Sequence, residues 1–447
     1  IMAGILLVIM GLCHFGTLIK FIPYTITTGF TSGIAVTIVI GQLKDFFGVT
    51  YPEGVRPIET MEKLAAFLEN IGTVNPAALI VGAVSLAILI ISPYIFKKIP
   101  GSLIAVIVGI LMVKFLPLKV STIGNLYSVS NTLPAFHMPA FSYDVIQGSL
   151  SDAFTIAILA AIESLLSCVV ADGMINGKHR SDMELVAQGA GNIASALFGG
   201  IPATGAIART AANIKNGGRT PVAGMVHSIT LVIVLVVLMP YAGMIPMPTI
   251  AAILFIVAYN MCQWRTFLQL VKTAPKSDIL VLVVTFVLTV LFDLVVAIEI
   301  GMILACLLFI KRMSEETKAE SWVYTDDDTV AVNENLRKLP AEIRVYEVSG
   351  PLFFGASDAI EHIVVEESAK CLVLRMRAVP ALDSTAMNAL TALTKTCESK
   401  GVTIVFSHVN EQPMKVMKKA GFVALAGEEN FCPNITAALE RAEEIIK

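Results

Sequence analysis

Long apolar runs, separated by short polar connections, occupy the chain as far as Lys311. A bilayer core of about 30 Å requires about 20 apolar residues per helix. On that measure the pattern predicts membrane spans at 1–15, 21–42, 77–97, 101–117, 151–171, 183–199, 221–240, 246–262, 276–294 and 295–311. A shorter helical piece is predicted at 203–213.

Beyond Met313 the pattern becomes that of a soluble α/β domain. It predicts strands at 343–348, 371–376 and 402–407 and helices at 384–399 and 413–420. Because strands and helices alternate, we expect a small sheet covered by helices. The predicted domains are a transmembrane domain at 1–313 (its parts being 1–117, an extracellular loop at 118–150, and 151–313), a linker at 314–340 and a soluble domain at 341–447.

Composition agrees with a membrane protein, since only 15% of the residues are charged, against about 25% in an average soluble domain. The formal net charge of −3 does not favour nucleic acid as a partner. Seven cysteines lie singly, without disulfide or metal-ligand spacing, and we interpret them as reduced core residues. No nucleophile arrangement, metal set or phosphate loop is present in the sequence, so we expect no enzyme activity, no catalytic residues, no cofactor and no metal site.

Basic residues predict the orientation of the chain in the membrane. They cluster on alternate connections, at Lys97 and Lys98, 178–180, 215–219, 265–276, and Lys311 and Arg312. That side is expected to be cytoplasmic, which makes the C-terminal domain cytosolic. The alternation holds only if 183–213 enters and leaves on the cytoplasmic side, as an interrupted helix would. Because Ile1 already lies in an apolar run, we expect the chain to begin within a longer protein.

The segment 199–220 carries glycine, proline, polar and basic residues where a lipid-facing helix would carry leucine. Irregular backbone at membrane depth is tolerated only where protein buries it or where it lines a wet cavity. A helix that restarts at about 203–205 would point unpaired N–H groups and its positive dipole end into that cavity. Arg209, one turn further on and on the face of Gly205, would add a positive charge beside a bound anion. The alternative is a polar cytoplasmic turn.

Glu163 lies in the otherwise apolar run 154–170, where a charged side chain costs roughly 3 kcal/mol on insertion scales. Such a residue is a functional candidate, because its protonation can couple to anion occupancy. The alternative is an ion pair between Glu163 and Arg209 that tethers two helices. Gln188 and Asn192, at i and i+4 of the next span, are expected to form interhelical hydrogen bonds rather than to contact substrate.

At these residues the chain resembles the SulP anion-transporter family, which includes bacterial sulfate, bicarbonate and dicarboxylate carriers. The most specific stretches are AIESLLSCVVADGM at 161–174, ELVAQGAGNIASALFGGIPATGAIARTAANIKNGGRTPVAGMVHS at 184–228 and AILFIVAYNM at 252–261. The resemblance implies an α-helical polytopic fold of two inverted seven-segment repeats, with substrate held between two half-helices. On that template segments four to fourteen are present, and the other half-helix would precede Ile1.

The resemblance assigns proton coupling to Glu163 and substrate binding to a set of small and polar residues, Ser167, Ala203, Thr204, Gly205, Ala206 and Arg209. Sodium-coupled bicarbonate members carry Asp in the place of Glu163 and Thr in the place of Ile207, and Ile207 offers sodium no side-chain oxygen. Proton coupling is therefore preferred to sodium. The runs FDLVVAIEIGMILACLLFIKRM (292–313) and GPLFFGA (350–356) resemble the bacterial proton-coupled branch and favour sulfate or C4-dicarboxylate over bicarbonate.

The soluble part resembles the STAS domain, through the strand CLVLRM at 371–376 and VPALDSTAMNAL at 379–390. In anti-sigma-factor antagonists, which share this domain, the serine that opens the helix can be phosphorylated, and Ser384 takes that position. The alternative for Asp383 and Ser384 is ordinary helix N-capping. The resemblance also implies a homodimer and a cytosolic protein that binds the STAS domain.

Together these observations predict a secondary active transporter of small anions in the bacterial plasma membrane, with the lipid bilayer and a proton as its other partners. Sodium-coupled bicarbonate transport and anion exchange are alternatives. A nucleobase carrier would share the architecture, but more acidic binding positions and no STAS tail would be expected. An anion sensor that signals through the STAS domain is the alternative from another class.

Overall fold

The computed structural model describes residues 1–17, 22–95, 99–116, 118–128, 130–139, 142–292, 294–321, 339–340, 342–365 and 368–447. Lys97 and Lys98, which contribute to the predicted orientation, lie outside these residues, as does most of the predicted linker at 314–340. The chain forms two compact units, residues 1–305 and 306–447. All seven cysteines are free thiols, but Cys13 and Cys306 are exposed and are therefore not the core residues that the sequence predicts.

The first unit is helical. Its helices are α1 (Met2–Leu12), α2 (Tyr24–Phe47), α3 (Thr60–Glu69), α4 (Pro76–Ile95), α5 (Gly101–Phe115), α6 (Ile123–Leu126), α7 (Tyr143–Ile175), α8 (Ser181–Leu197), α9 (Ile207–Lys215), α10 (Val222–Ile233), α11 (Met239–Ala242), α12 (Met247–Cys262), α13 (Trp264–Thr273), α14 (Lys276–Leu291) and α15 (Leu294–Glu316), the last of which continues into the second unit. A π-helical turn, Val234–Leu238, joins α10 to α11. Each predicted span corresponds to one of these helices.

Apolar length supports membrane crossing for several of them. Among the described residues, five helical stretches are long and apolar enough to span a bilayer: Tyr24–Phe47, Pro76–Ile95, Tyr143–Ile175, Val222–Ala242 and Met247–Thr273.

Several helix boundaries differ from the sequence prediction, and one helix was not predicted. α7 begins at Tyr143, inside the predicted loop, because the Ser142 hydroxyl accepts a hydrogen bond from the Val145 N–H (3.3 Å) and so caps an earlier helix start. α13 was predicted only as a basic connection, yet it is a helix with apolar residues on one side.

The helices of the first unit pack into two bundles. In the first bundle α1 packs on α7 and α8, and α7 packs on α8 and α9. In the second, α2 packs on α12, α14 and α4, and α5 packs on α4 and α12. The core of the second bundle contains Phe46, Leu89 and Ala251, with a buried hydroxyl pair between Ser85 and Thr249 (2.9 Å).

Small residues dominate the core of the first bundle. Ala157, Ala160 and Ala161 of α7 are buried against α1 and α8. α1 and α8 meet at Gly4 and Gly189, where a methyl group added to Gly4 would lie 2.7 Å from the Gly189 carbonyl oxygen. Lipid tails are as apolar as the helices, so close backbone approach through small residues holds such bundles together. The first bundle therefore tolerates little added volume.

The second unit contains a five-stranded sheet in the order β1 (Lys318–Ser321), β2 (Ile343–Ser349), β3 (Cys371–Ala378), β4 (Thr403–Ser407), β5 (Phe431–Cys432). β1 is antiparallel to β2, and the remaining pairs are parallel. The helices are α16 (Asp358–Glu361), α17 (Ser384–Ser399), α18 (Glu411–Lys419), α19 (Phe422–Ala426) and α20 (Ile435–Ile446).

Alternation along the strands explains why helices cover both faces of this sheet. Leu372 and Leu374 of β3 share a core with Leu390 of α17, whereas Val373, between them, shares a second core with Leu439 of α20. The sheet-and-helix domain expected from the sequence is confirmed.

The close crossing of α1 and α8 predicts opposite effects for two substitutions in one helix. Gly189→Ala should lower the melting temperature of the intact protein, because the new methyl group would lie 2.5 Å from the Gly4 carbonyl oxygen, and overpacking typically costs about 1–3 kcal/mol. Gly191→Ala, with open space around its Cβ position, should leave the melting temperature unchanged or raise it, since Ala favours helix by about 1 kcal/mol. Thermal unfolding in detergent measures both, and equal effects would contradict the crossing.

Candidate functional site

The connector between α8 and α9 is the interrupted part of the predicted span. α8 ends at Leu197, Gly199 adopts a positive φ of 72°, and α9 begins only at Ile207 with Ala206 as its N-cap residue. The prediction that the helix restarts at about 203–205 is therefore wrong. Gly205 also lies outside the helix, so it does not share a helical face with Arg209.

Hydrogen bonds from α8 explain the late start of α9. The Asn192 side chain accepts from the Ala203 N–H (2.9 Å) and donates to the Ala203 carbonyl (2.9 Å). Gln188 also donates to the Ala203 carbonyl. These bonds give the Ala203 N–H and carbonyl partners on α8, and the chain at Ala203 is not helical. Gln188 and Asn192 form hydrogen bonds within the bundle, but their partner is the non-helical connector and not the other helix that the sequence predicted.

α7 holds the connector from another side. The Thr204 hydroxyl donates to the Ala160 carbonyl (3.1 Å), and the Ser167 hydroxyl donates to Thr210 Oγ1 (3.0 Å). Between these bonds Gly205 passes close to α7, where a Cβ atom at Gly205 would lie 3.3 Å from Ser164 Oγ. The connector and α9 are thus bonded to both neighbouring helices of the first bundle.

The start of α9 presents unpaired backbone donors. The first helical bond runs from the Thr210 N–H to the Ala206 carbonyl (2.9 Å). Within the described residues, no acceptor bonds to the N–H groups of Thr204, Gly205, Ala206, Ile207 and Arg209. A helix N-terminus also carries a partial positive charge, so these donors form a potential anion-binding site.

Surface exposure divides the predicted binding residues. Ala203, Thr204, Ala206 and Arg209 are exposed and Gly205 is half-buried, whereas Ser167 is only 4% exposed. Its hydroxyl proton is already donated to Thr210, so in this structure Ser167 supports α9.

Glu163 is half-buried on α7, next in sequence to Ser164. Glu163 and Arg209 both belong to the described residues, and no ion pair within 4.0 Å joins them. The alternative in which the two form a tether is therefore wrong for this structure. Both charges remain available for other partners.

Glu184 is a site residue that the sequence reasoning missed. It lies in the first turn of α8 and accepts a hydrogen bond from Ser164 Oγ, the hydroxyl against which Gly205 lies. Ser164 is fully buried, and hydrogen bonds to charged acceptors are stronger than neutral ones. The available signal was a carboxylate inside the predicted span 183–199.

The turn between α7 and α8 is closed by polar contacts. Asp172 Oδ2 accepts from the His179 N–H (2.9 Å) and lies 2.7 Å from His179 Nδ1, while His179 Nε2 lies 2.9 Å from Ser181 Oγ. Just after the end of α1, the His14 ring contacts Asp182 of α8 (2.8 Å). These contacts fix the first turn of α8, which carries Glu184.

Comparison with known proteins identifies the helical unit. Residues 1–285 match the model of the sulfate permease family, and residues 337–438 match that of the STAS domain. The chain belongs to the sulfate permease family. A bacterial relative, "Putative sulfate transporter YvdB" of Bacillus subtilis (strain 168), is 36% identical to this family member over 96% of the chain and 80% of YvdB. The bicarbonate transporter BicA of Synechocystis sp. (strain ATCC 27184 / PCC 6803 / Kazusa) is 32% identical over 99% of the chain and 78% of BicA.

Two solved structures share the fold of this chain. The transmembrane domain of a cyanobacterium bicarbonate transporter BicA aligns with a TM-score of 0.56 at 30% identity, covering 68% of this chain and 74% of that one. The murine solute carrier 26 family member A9, in its inward-facing state, aligns with a TM-score of 0.85 at 20% identity, over 99% of this chain and 74% of that one. The predicted family and the predicted fold class, a polytopic helical membrane protein with a STAS domain, are confirmed.

The bonds to Ala203 predict the local stability of the connector in this sulfate permease family member. Asn192→Ala should free the Ala203 N–H and speed hydrogen exchange in the peptide that covers 199–210 by about tenfold or more, since a lost buried hydrogen bond costs about 1–3 kcal/mol. Hydrogen exchange followed by mass spectrometry measures the change.

Two controls locate the effect. Gln188→Ala removes only a bond to the Ala203 carbonyl, so its effect on the Ala203 N–H should be smaller. Asn216→Ala removes a bond to the Ala212 carbonyl at the other end of α9 and should leave 199–206 unchanged. Unaltered exchange in Asn192→Ala would contradict the anchoring role.

Proposed function

We propose that this chain is part of a secondary active transporter that carries small anions across the plasma membrane by alternating access, coupled to protons. The observation that carries the proposal is the start of α9, where the N–H groups of Thr204, Gly205, Ala206, Ile207 and Arg209 are unpaired among the described residues and Arg209 is exposed in the first turn of the helix. Family membership supports a transport function.

The proposed anion site combines backbone and side-chain donors. Ala203 and Ala206 have small side chains, which let an anion approach the backbone. The Thr204 hydroxyl proton is donated to Ala160, so Thr204 is expected to meet the anion through its N–H group. The Arg209 guanidinium supplies a full positive charge and a planar set of N–H donors, which suits the binding of oxyanions. Ser167 contributes by holding α9 through Thr210.

Glu163 is the proposed coupling residue. A half-buried carboxylate in a membrane helix, without an ion-pair partner among the described residues, favours a neutral, protonated form whenever no cation is near. An anion at α9 and a proton on Glu163 would then load together onto the first bundle. Movement of that bundle against the second would expose the pair on the other side.

The substrate class is proposed from chemistry and relatives together. Sulfate, C4-dicarboxylates and bicarbonate all present oxygens to N–H donors and to arginine. YvdB is named for sulfate and BicA for bicarbonate, and the sequence runs that favour the proton-coupled branch place sulfate or dicarboxylate first in this proposal. Because Ile207 has no side-chain oxygen, sodium is the less favoured coupling ion.

The STAS domain is proposed to be cytosolic and regulatory, with a homodimer as the assembly. Ser384 is exposed at the first position of α17. The N-cap is Asp383, which accepts from the Ala386 N–H (2.9 Å) and the Phe354 N–H (2.9 Å). Ser384 is therefore left free of the capping role, and a binding protein or a kinase could reach it.

Uptake driven by a pH gradient tests the proposed function. Proteoliposomes that contain the full-length protein should accumulate labelled sulfate, fumarate or bicarbonate when the interior is made alkaline. Glu163→Gln should make uptake independent of the gradient, because the amide cannot release a proton. Asp152→Asn, an equivalent change at an exposed position of α7, should behave as wild type.

Three outcomes would contradict parts of this proposal. Uptake that is driven by a sodium gradient alone would show that sodium, and not the proton, is the coupling ion. A Glu163→Gln protein with an unaltered pH response would remove Glu163 from coupling. Anion binding without flux of any of the three anions would favour a sensor.

Arg209 makes a separate prediction about affinity. Arg209→Gln should raise the KM for divalent anions by roughly 10- to 100-fold, since a hydrogen bond to a charged group contributes about 1.5–3 kcal/mol. Arg219→Gln, which removes an exposed arginine beyond α9, should leave KM unchanged. Concentration-dependent initial rates provide both values, and an equal KM in the two variants would exclude Arg209 from the site.

A further inference from the structure

The boundary between α12 and α13 is a fixed turn. Gln263 adopts a left-handed conformation (φ 44°, ψ 40°), which few residues other than glycine take readily, and it interrupts the helix. The Ser32 hydroxyl of α2 donates to the carbonyl of Cys262, the last residue of α12 (2.7 Å). α13 is therefore a separate helix, and at ten residues it is too short to cross a bilayer.

One side of α13 packs on the second bundle. Thr266, Phe267 and Leu270 are half-buried, and the Phe267 ring lies 5.3 Å from the Phe286 ring of α14, measured between centroids. Leu270 is at i+4 from Thr266 and at i+3 from Phe267, so it lies beside both on the helix surface. The contact fixes which of the other residues face outward.

An apolar strip remains uncovered. Trp264 is 42% exposed, Leu268 45% and Val271 37%, and the spacing i, i+4, i+7 places them along one side of the helix. Trp264 has an apolar ring and a polar N–H, a combination enriched where membrane meets water. The strip therefore suits the shallow part of a lipid layer.

A basic strip adjoins the apolar one. Arg265 and Lys272 are exposed at i and i+7, and Lys276 is exposed at the start of α14. In the part of the chain that the structure describes, no carboxylate forms an ion pair with any of the three. The Arg265 guanidinium lies 5.5 Å from the centroid of the Trp264 ring, which links the two strips.

We propose that α13 lies in the membrane interface and binds anionic phospholipid headgroups through Arg265, Lys272 and Lys276. The apolar strip enters the layer beneath the headgroups, as in interfacial amphipathic helices, and the three cations meet lipid phosphates. On the orientation proposed from the basic residues, this is the cytoplasmic leaflet. The inference requires a membrane domain and does not depend on the substrate or on the coupling ion.

Charge complementarity selects lipid over protein as the occupant. α13 connects two helices of the membrane unit, so its uncovered side adjoins the bilayer that surrounds them. Three cations without ion-pair partners in the described residues match a surface whose headgroups carry negative charge. A second copy of the chain would present the same cations at this position and would need an acidic counterpart.

Tryptophan fluorescence can report the depth of α13, because the chain contains only two tryptophans. Trp322, the other one, lies outside the described residues and can be replaced by Trp322→Phe. The full-length protein, in which Trp264 is kept and every tryptophan outside this chain is also replaced by phenylalanine, is placed in nanodiscs that contain phosphatidylcholine with a nitroxide near the headgroup or near the end of the acyl chain. Trp264 should be quenched more strongly by the shallow label than by the deep one.

Lipid selectivity tests the cations. Spin-labelled phosphatidylglycerol and phosphatidylcholine are compared for association with wild type and with Arg265→Gln/Lys272→Gln/Lys276→Gln. The preference for phosphatidylglycerol should fall by about fivefold for each cation removed. A matched control, Lys415→Gln/Lys418→Gln/Lys419→Gln, removes three exposed lysines from α18 of the soluble unit and should retain the preference.

A charge-preserving variant separates binding from misfolding. Arg265→Lys/Lys272→Arg/Lys276→Arg should keep the lipid preference. The proposal is overturned if the triple glutamine variant keeps the full preference. It is also overturned if Trp264 is quenched by neither lipid label, and additional protection of Trp264 from aqueous acrylamide would show that protein covers the strip.

Discussion

A peptide group inside a membrane has no water to bond to, and the interrupted helix depends on how Ala203 meets that constraint. The Asn192 side chain bonds to both the N–H and the carbonyl of Ala203 (2.9 Å each). One amide thus replaces the partners that a continuous helix would have provided. The late start of α9 and its unpaired N–H donors follow from this arrangement, in which the Asn192 side chain takes the place of a helical turn at Ala203.

The hydrogen bonds from Asn192 hold Ala203 in place only because α8 is itself held by neighbouring helices. α8 meets α1 at a glycine crossing so close that the backbones are in contact, and Glu184 binds it to Ser164 of α7. Thr204 and Ser167 then bond the connector and α9 to α7. Four elements consequently hold one another through hydroxyl, amide and carboxylate groups. In this bundle polar contacts fix the relative positions of the helices, and small residues allow their backbones to approach closely.

Features that depend on residues close together in sequence were predicted more accurately than features that depend on distant residues. α17 runs from Ser384 to Ser399, as predicted, because an N-cap and apolar residues at helical spacing lie within the same stretch of sequence. The predicted start of α9 was wrong because Asn192 bonds to Ala203 from eleven residues away. A local sequence pattern does not indicate such a contact. α13 was missed because its basic residues resembled a connection. Arg209 and Glu163 were proposed from their chemistry alone, and the structure, which describes both residues, shows that no ion pair joins them.

The polar residues of α8 also bear on how the protein is made. Three polar residues make the insertion of α8 into lipid less favourable: Glu184, Gln188 and Asn192. The carboxylate alone costs roughly 3 kcal/mol on insertion scales. The partner of Glu184 is on α7, which is translated earlier, whereas the partner of Gln188 and Asn192 is in the connector, which is translated later. α8 should therefore leave the translocon together with α7 as a hairpin and complete its bonding only when Ala203 has emerged from the ribosome.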